Sequence, residues 1–178
     1  MTYDKKVQIC SKTDIGLVRE KNEDSLLIVD GSSDGFDTTL SVMILLSDLA
    51  LFAHVGDSRI YRLRDGKLEQ LTHDQTMAQL SVELGYIKQE ETTCHPLRNV
   101  LLEALGQGID EIETRIEKVR RGDLYLLCSD GLYDLVPDNV IENLLMGEQN
   151  GLCCDKLVKE AIKKGGKDNV SVILVKIV

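Results

Sequence analysis

Apolar residues in this chain fall mainly into short unbroken runs or into alternation, the two patterns of β-strands, and take helical spacing in only a few stretches. Leu124-Tyr125-Leu126-Leu127-Cys128 is the plainest run. With Asp123 before it and Ser129-Asp130-Gly131 after it, the run reads as a strand buried on both faces that ends abruptly in a turn. Ser25 to Val29, Thr38 to Leu46, Leu49 to Val55 and Ser171 to Val178 give further buried strands. Val7 to Thr13 alternates weakly and Ile112 to Val119 more clearly. Between Ile60-Tyr61-Arg62-Leu63-Arg64 and Lys67-Leu68-Glu69-Gln70-Leu71, the dipeptide Asp65-Gly66 is a strong hairpin signal.

Helical spacing begins at Met77, Leu80, Val82 and Leu84 before Gly85, and again at Val100, Leu101 and Leu105 before Gly106, around a polar excursion that contains His95-Pro96. Pro137 opens a helix through Met146, since proline is tolerated in a first turn. A second helix, from about Cys153 to Lys164, ends in basic residues and Gly165-Gly166, as helix C-termini favour. Many strands with a few helices segregated in sequence imply an α+β domain rather than a βαβ series. The 178 residues fit one domain, 1–178, with no internal repeat and no low-complexity linker.

Composition narrows the classes. A chain that is 43% hydrophobic and 29% charged is globular, and no apolar run approaches the length of a bilayer-crossing helix. No signal-peptide core follows Met1 to Lys6, so the expected location is the cytoplasm. A net charge of -9 argues against a general nucleic-acid binder, because phosphate neutralisation needs a basic face, and is compatible with a site that collects divalent cations. The five cysteines, Cys10, Cys94, Cys128, Cys153 and Cys154, show no C-x-x-C pairing, so buried, reduced thiols are expected rather than a disulfide framework or a zinc site.

Three carboxylates stand where buried strands meet turns: Asp24 before Ser25 to Val29, Asp130 after Leu124 to Cys128, and Asp168 before the last strand. Each alone reads equally as a turn residue. If they converge, their mutual repulsion makes an empty site unfavourable, and a hard divalent ion with oxygen ligands relieves it. Oxygen-only ligation points to magnesium or manganese rather than zinc. Two such ions would activate a bridging water and clamp a phosphoryl oxygen, with a nearby arginine neutralising the remaining phosphate charge.

Gly16-Leu17-Val18-Arg19 with Asn22-Glu23-Asp24, the Thr38-Thr39-Leu40 strand, Gly56-Asp57-Ser58-Arg59, Cys128-Ser129-Asp130-Gly131-Leu132 and Gly165-Gly166-Lys167-Asp168-Asn169-Val170 follow one another in an order that resembles the bacterial 2C-type, metal-dependent serine/threonine protein phosphatases. The resemblance covers nearly the whole chain. It implies a β-sandwich flanked by helices, a binuclear manganese or magnesium centre and direct hydrolysis of a protein phosphoester by activated water, opposing a serine/threonine kinase. By position, Asp130 and Asp168 match metal-binding aspartates, Glu23 and Asp24 match the acidic pair of the metal centre, and Arg19 matches the arginine that holds substrate phosphate. Asp74 matches the aspartate that binds a third ion, and residues 75–98 resemble a mobile flap. Asp57 and Arg59 are given a structural role in a turn, and His95 is read as a flap or core residue rather than a ligand.

One motif is missing. The Asp-Gly-Met-Gly-Gly stretch that supplies the bridging aspartate, with the helix pair after it, has no counterpart between Val29 and Thr38. Asp30-Gly31 does not replace it, because an extended chain would carry Asp30 roughly 20 Å beyond Asp24. The loss implies an internal deletion, and it sets a catalytically impaired metal- or partner-binding relative beside the active enzyme as the alternative. It also strips one sheet of its helical cover, so self-association through that face is expected.

Overall fold

In the computed structural model, which describes residues 7–24, 39–104, 112–147 and 153–178, the run Leu124–Cys128 forms strand β7 and is buried at every position. It can be so because it is sandwiched in both directions. Leu124, Leu126 and Cys128 face a core shared with helices, while Tyr125 and Leu127 face a second core between two sheets. Apolar side chains on both sides of one strand are what an unbroken apolar run encodes.

The chain reaches that centre through β1 (Val7–Asp14), β2 (Leu40–Leu46), β3 (Leu49–Val55), β4 (Arg59–Arg64), β5 (Lys67–Gln70), helix α1 (Met77–Glu83), a 3-10 helix (Gln89–Cys94) and β6 (Glu113–Lys118). After β7 come α2 (Asp130–Tyr133), α3 (Asp138–Met146), α4 (Cys154–Lys163) and β8 (Val170–Ile177). One antiparallel sheet has the order β1-β8-β7-β4-β5, the other β2-β3-β6. The architecture is α+β, two packed sheets with helices α3 and α4 against the five-stranded one.

Local chemistry explains most of these elements. Asp65 and Gly66 both take positive φ, 52° and 77°, as a two-residue hairpin turn requires, and register β4 on β5 through Leu63↔Leu68. Thr76 caps α1 by accepting a hydrogen bond from the Gln79 amide at 3.2 Å. Asp123, at the entry to β7 and 1% exposed, is held by Arg64 through two bonds of 2.7 Å and by the Arg120 amide at 2.6 Å. Pro137 stands at the N-cap of α3 rather than in its first turn.

Two expectations are corrected. Cys10 on β1 and Cys154 at the start of α4 form a disulfide, so these two thiols are not reduced; partners 144 residues apart leave no signature in local spacing. Cys128 and Cys153 are buried thiols, as expected, and Cys94 is exposed. Val100 to Leu102 is not helical: the Met77 amide donates to Val100 O and the Leu102 amide to Gln75 O, so this stretch pairs with the entry to α1 through the bridge Thr76↔Leu101. Ser25 to Val29, Asp30-Gly31 and Leu105 lie outside the described residues. No helix among the described residues is long and apolar enough to cross a membrane.

Candidate active site

The register of the five-stranded sheet brings three strand ends together. Asp14 at the end of β1 pairs with Val170 at the start of β8, and Cys128 at the end of β7 pairs with Val172. The loops that leave these ends, 15–24, 129–130 and 164–169, therefore open at one edge of the sheet.

Asn169, 3% exposed, knots two of them: its Oδ1 accepts from the Glu23 amide at 2.7 Å, and its Nδ2 donates to Ile15 O and Lys21 O at 2.9 and 3.0 Å. The Leu17 amide adds a bond to Gly166 O at 2.7 Å. The backbones approach so closely that glycine is demanded. A Cβ on Gly16, which has φ +79°, would stand 2.3 Å from Asp168 O, and one on Gly131 would stand 1.9 Å from Asn169 O.

On this frame Arg19 meets Asp168, Nη2 to Oδ2 at 2.6 Å, and that hydrogen bond holds the Arg19 proton more tightly than usual. Asp168 Oδ1 accepts from the following amide at 2.8 Å. Asp24 Oδ2 accepts from the Ser129 hydroxyl at 2.9 Å, and Ser129 Oγ accepts in turn from the Ser171 amide at 3.0 Å. Ser129 thus ties loop 15–24 to the ends of β7 and β8. Ser129→Ala is expected to cost about 1–2 kcal/mol, read as a lowered midpoint in chemical unfolding, because two bonds are lost and one amide is left unpaired.

Asp130 is the electrostatic centre. Burial first, then the charges of Asp57, Asp168, Asp134 and Asp24, push its carboxyl up to about 7. Asp57 is pushed up to about 6 by burial and by Asp74. Asp134 is also raised, by burial, although Arg98 opposes the shift through an ion pair of 2.9 Å. The structure thus gathers Asp24, Asp168, Asp57 and Asp134 about Asp130, with Glu23 acting on Arg19.

Asp74, whose charge acts on Asp57 and Asp134, is fully engaged. Arg59 grips both of its oxygens, Nε to Oδ1 at 2.8 Å and Nη2 to Oδ2 at 2.7 Å, and Gln70 bonds Oδ1 at 3.1 Å. Arg59 also stacks 3.6 Å from the centroid of the Tyr133 ring, in keeping with a structural part. Asp57 differs from its reading as a turn residue, since its charge bears on Asp130 more than that of any other residue. His95 Nδ1 accepts from the Leu97 amide at 3.2 Å, a local role. Segment 75–98 is rooted by Gln75, whose amide donates to Gly56 O at 2.8 Å, and it reaches the acidic group through Arg98.

Sequence reasoning passed over Asp134, Ser129 and Asn169. Asp134 had a signal, since it lies four residues after Asp130 where a helix begins, a spacing that puts both on one face. Asn169 stood only as a member of the motif Gly165-Gly166-Lys167-Asp168-Asn169-Val170, with no role of its own, because its partners come from loop 15–24.

Whether these residues suit a divalent cation has two answers. The donor chemistry fits: a half-buried carboxylate acted on by the charges of four others, all with oxygen donors, is relieved by a hard cation. The cage is incomplete: among the described residues no three acidic, histidine or cysteine side chains stand close enough together to hold an ion.

Two sheets with an acidic cluster at one edge, an arginine beside it and a helical layer define a fold shared with solved bacterial phosphatases. The profile described as Protein phosphatase 2C matches residues 8–149. The Mycobacterium tuberculosis serine/threonine protein phosphatase PstP is 39% identical over 145 residues, 82% of this chain and 28% of the relative. The Listeria welshimeri serine/threonine phosphatase stp is 35% identical over 162 residues, 89% of this chain and 64% of the relative. The crystal structure of M. tuberculosis PstP superposes with a TM-score of 0.86 at 28% identity, covering 96% of this chain and 98% of that one. Its catalytic domain in complex with two manganese ions gives 0.84 at 27% identity, covering 97% and 98%. This chain belongs to the protein phosphatase 2C family. It spans less than two thirds of the length of these two curated relatives.

Proposed function

We propose that this chain hydrolyses phosphoserine and phosphothreonine esters of proteins with a manganese or magnesium centre held by carboxylates, in the cytoplasm and in opposition to a serine/threonine kinase. The observation that carries the reading is Asp130, a half-buried carboxyl pushed up to about 7, with the charges of Asp168 and Asp24 acting on it and Arg19 at the rim. Asp130, Asp168 and Asp24 would hold the cation, with Glu23 at its margin; Asp74 would serve a third ion only on leaving Arg59. When bound, the ion supplies Lewis acidity, which lowers the pKa of water and draws charge from phosphoryl oxygens.

The chain's own residues do the rest. Arg19 is 49% exposed, and its Nη1 and Nε keep donors for a phosphate dianion while Nη2 stays on Asp168. Ser129 fixes the rotamer of Asp24, and Asn169 fixes the loop that carries Arg19 and Glu23. Segment 75–98 acts as a flap whose contact with the acidic group is Arg98 on Asp134.

The incomplete cage favours a second reading, a metal- or partner-binding relative with impaired turnover. Manganese-dependent hydrolysis of p-nitrophenyl phosphate and of a phosphothreonine peptide, compared with Asp130→Asn, decides between the two. The expected result is a rate that rises with manganese and falls at least ~100-fold in the variant, a loss of about 2.7 kcal/mol of transition-state stabilisation. Equal rates in both proteins remove the enzyme reading, and calorimetry with manganese then tests the binding one.

A further inference from the structure

A cleft of about 370 Å³ is lined from both sheets at the end of the sandwich away from Asp130. Leu63 pairs with Leu124 and Arg59 with Cys128, so Arg64 stands where β7 begins and Asp130 where it ends. At ~3.3 Å per residue, β7 and its flanking residues put roughly 20 Å between the two. Arg62 and Arg64 enter the cleft from β4, Lys118 from the end of β6 and Arg120 from the turn before β7. The lining carboxylates are Asp48 and Glu117.

Hydrogen bonding here leaves donors in excess. Arg62, its side chain 13% exposed, gives Nη1 to Glu117 and Nη2 to Glu69, and its buried Nε has no partner among the described residues. Arg64 holds Asp123 through Nε and Nη2, and Nη2 also donates to Lys118 O at 2.9 Å. Lys118 and Arg120 are exposed, and neither side chain has an ion pair or hydrogen bond among the described residues. Glu117 is already held by Arg62 and Arg115, which leaves Asp48 as the lining carboxylate without an ion pair among the described residues. Unmet cations at one cleft reverse the balance of a chain whose net charge is -9.

We propose that this cleft is a second, non-catalytic oxyanion site that holds a phosphoryl group. Ammonium and guanidinium donors converging on one space suit the several oxygens of a phosphate. Val119 is the single apolar lining residue, so the cleft offers nothing to a nucleoside base or an acyl chain. Its ligand is therefore charge without an apolar body: inorganic phosphate or pyrophosphate, or a phosphoryl group on a polar peptide. The separation from Asp130 keeps Arg19 from sharing the same anion.

The experiment is calorimetric titration of the metal-free chain in EDTA with pyrophosphate, with amide NMR shifts to locate the site. A dissociation constant on the order of 0.1–1 mM at ~20 mM salt is expected, weakening several-fold at ~150 mM. Shifts should centre on residues 118–121. Lys118→Ala combined with Arg120→Ala is expected to weaken binding at least ~10-fold, while Lys163→Ala with Lys164→Ala removes the same charge from α4 and its cap and leaves it unchanged. Asp48→Asn should tighten binding about threefold by removing the opposing charge. Thermal melts verify that each variant is folded. A phosphoserine peptide that displaces pyrophosphate shows the group read on a peptide, and one that fails to do so shows a free oxyanion; both carry the proposal. No binding at ~10 mM pyrophosphate, shifts confined to loop 15–24, or equal losses in the two double variants overturns it. Without metal none of these readouts needs turnover, so the result stands apart from the phosphatase reading.

Discussion

Reduction of the Cys10–Cys154 disulfide is expected to lower the thermal midpoint of the metal-free chain by roughly 10 °C, equivalent to about 3 kcal/mol. The span of 144 residues makes the cross-link effective, since it removes a large loop from the unfolded ensemble. Its place in the fold adds a second reason. Among the described residues β1 pairs only with β8, and its residues are exposed except at Cys10 and Asp14, which are half-buried. Cys10 is thus the covalent link from β1 to the buried start of α4, beside an exposed ion pair of Lys12 with Asp155 at 3.4 Å. Melts with and without a phosphine reductant, repeated on Cys10→Ser, measure the effect. Hydrogen exchange should show Val7–Asp14 losing protection first, ahead of β7. A reduced chain that melts with the oxidised one would mean that the β1-β8 ladder alone secures this edge. The consequence reaches the site, because β1 runs directly into the loop that carries Arg19, Glu23 and Asp24 while α4 runs into the loop that carries Asp168.

Elements specified by neighbouring residues were legible in the sequence. Asp65-Gly66 dictates its turn through its own backbone preferences, and Leu124 to Cys128 declares a doubly buried strand because no position in it could face water. That the charges of Asp24 and Asp168 act on Asp130 follows from their places beside apolar runs, since antiparallel pairing of β1, β8 and β7 brings the adjoining loops to one edge. What was not legible depends on partners far along the chain. The pairing of Cys10 with Cys154 and the four-way hydrogen bonding of Asn169 arise only once β1, α4 and β8 are placed side by side. Val100 to Leu102 has a helical pattern, but its backbone pairs in extended form with Gln75 O and the Met77 amide. Asp57 looked like a turn residue because its neighbours Gly56 and Ser58 favour turns, and only the approach of Asp74 and of the α2 end gives its charge partners to repel.

That repulsion sets the second large effect, on pH and metal. Asp130 titrates near 7 in the folded chain against 3.8 in its absence, so between those values the folded state retains a proton that the unfolded state has lost. Stability contributed by this group is therefore fully present below about pH 4 and is lost as pH rises through 7, to the extent of about 4 kcal/mol for a shift of some three units. Asp57, pushed up to about 6, acts in the same direction over a narrower window. Asp123 acts oppositely: burial raises its pKa, but Arg64 wins and lowers it, so its stability is present above the ordinary carboxylate range and fades below it. The difference between the parent and Asp130→Asn isolates the first contribution. In EDTA the parent is expected to lose several degrees relative to the variant between pH 4.5 and 7.5. Millimolar manganese should restore that loss at pH 7.5, by about 2.7 kcal/mol at a hundredfold excess over its dissociation constant, and do little at pH 4.5, where protons occupy the carboxyl. A variant that follows the parent across the whole range, or manganese that stabilises both proteins alike, would show that Asp130 is neither the strained carboxyl nor the ligand. The same residue that makes the empty site costly at neutral pH is the one that gives a cation its reason to bind, so stability and metal affinity must change together when it is neutralised.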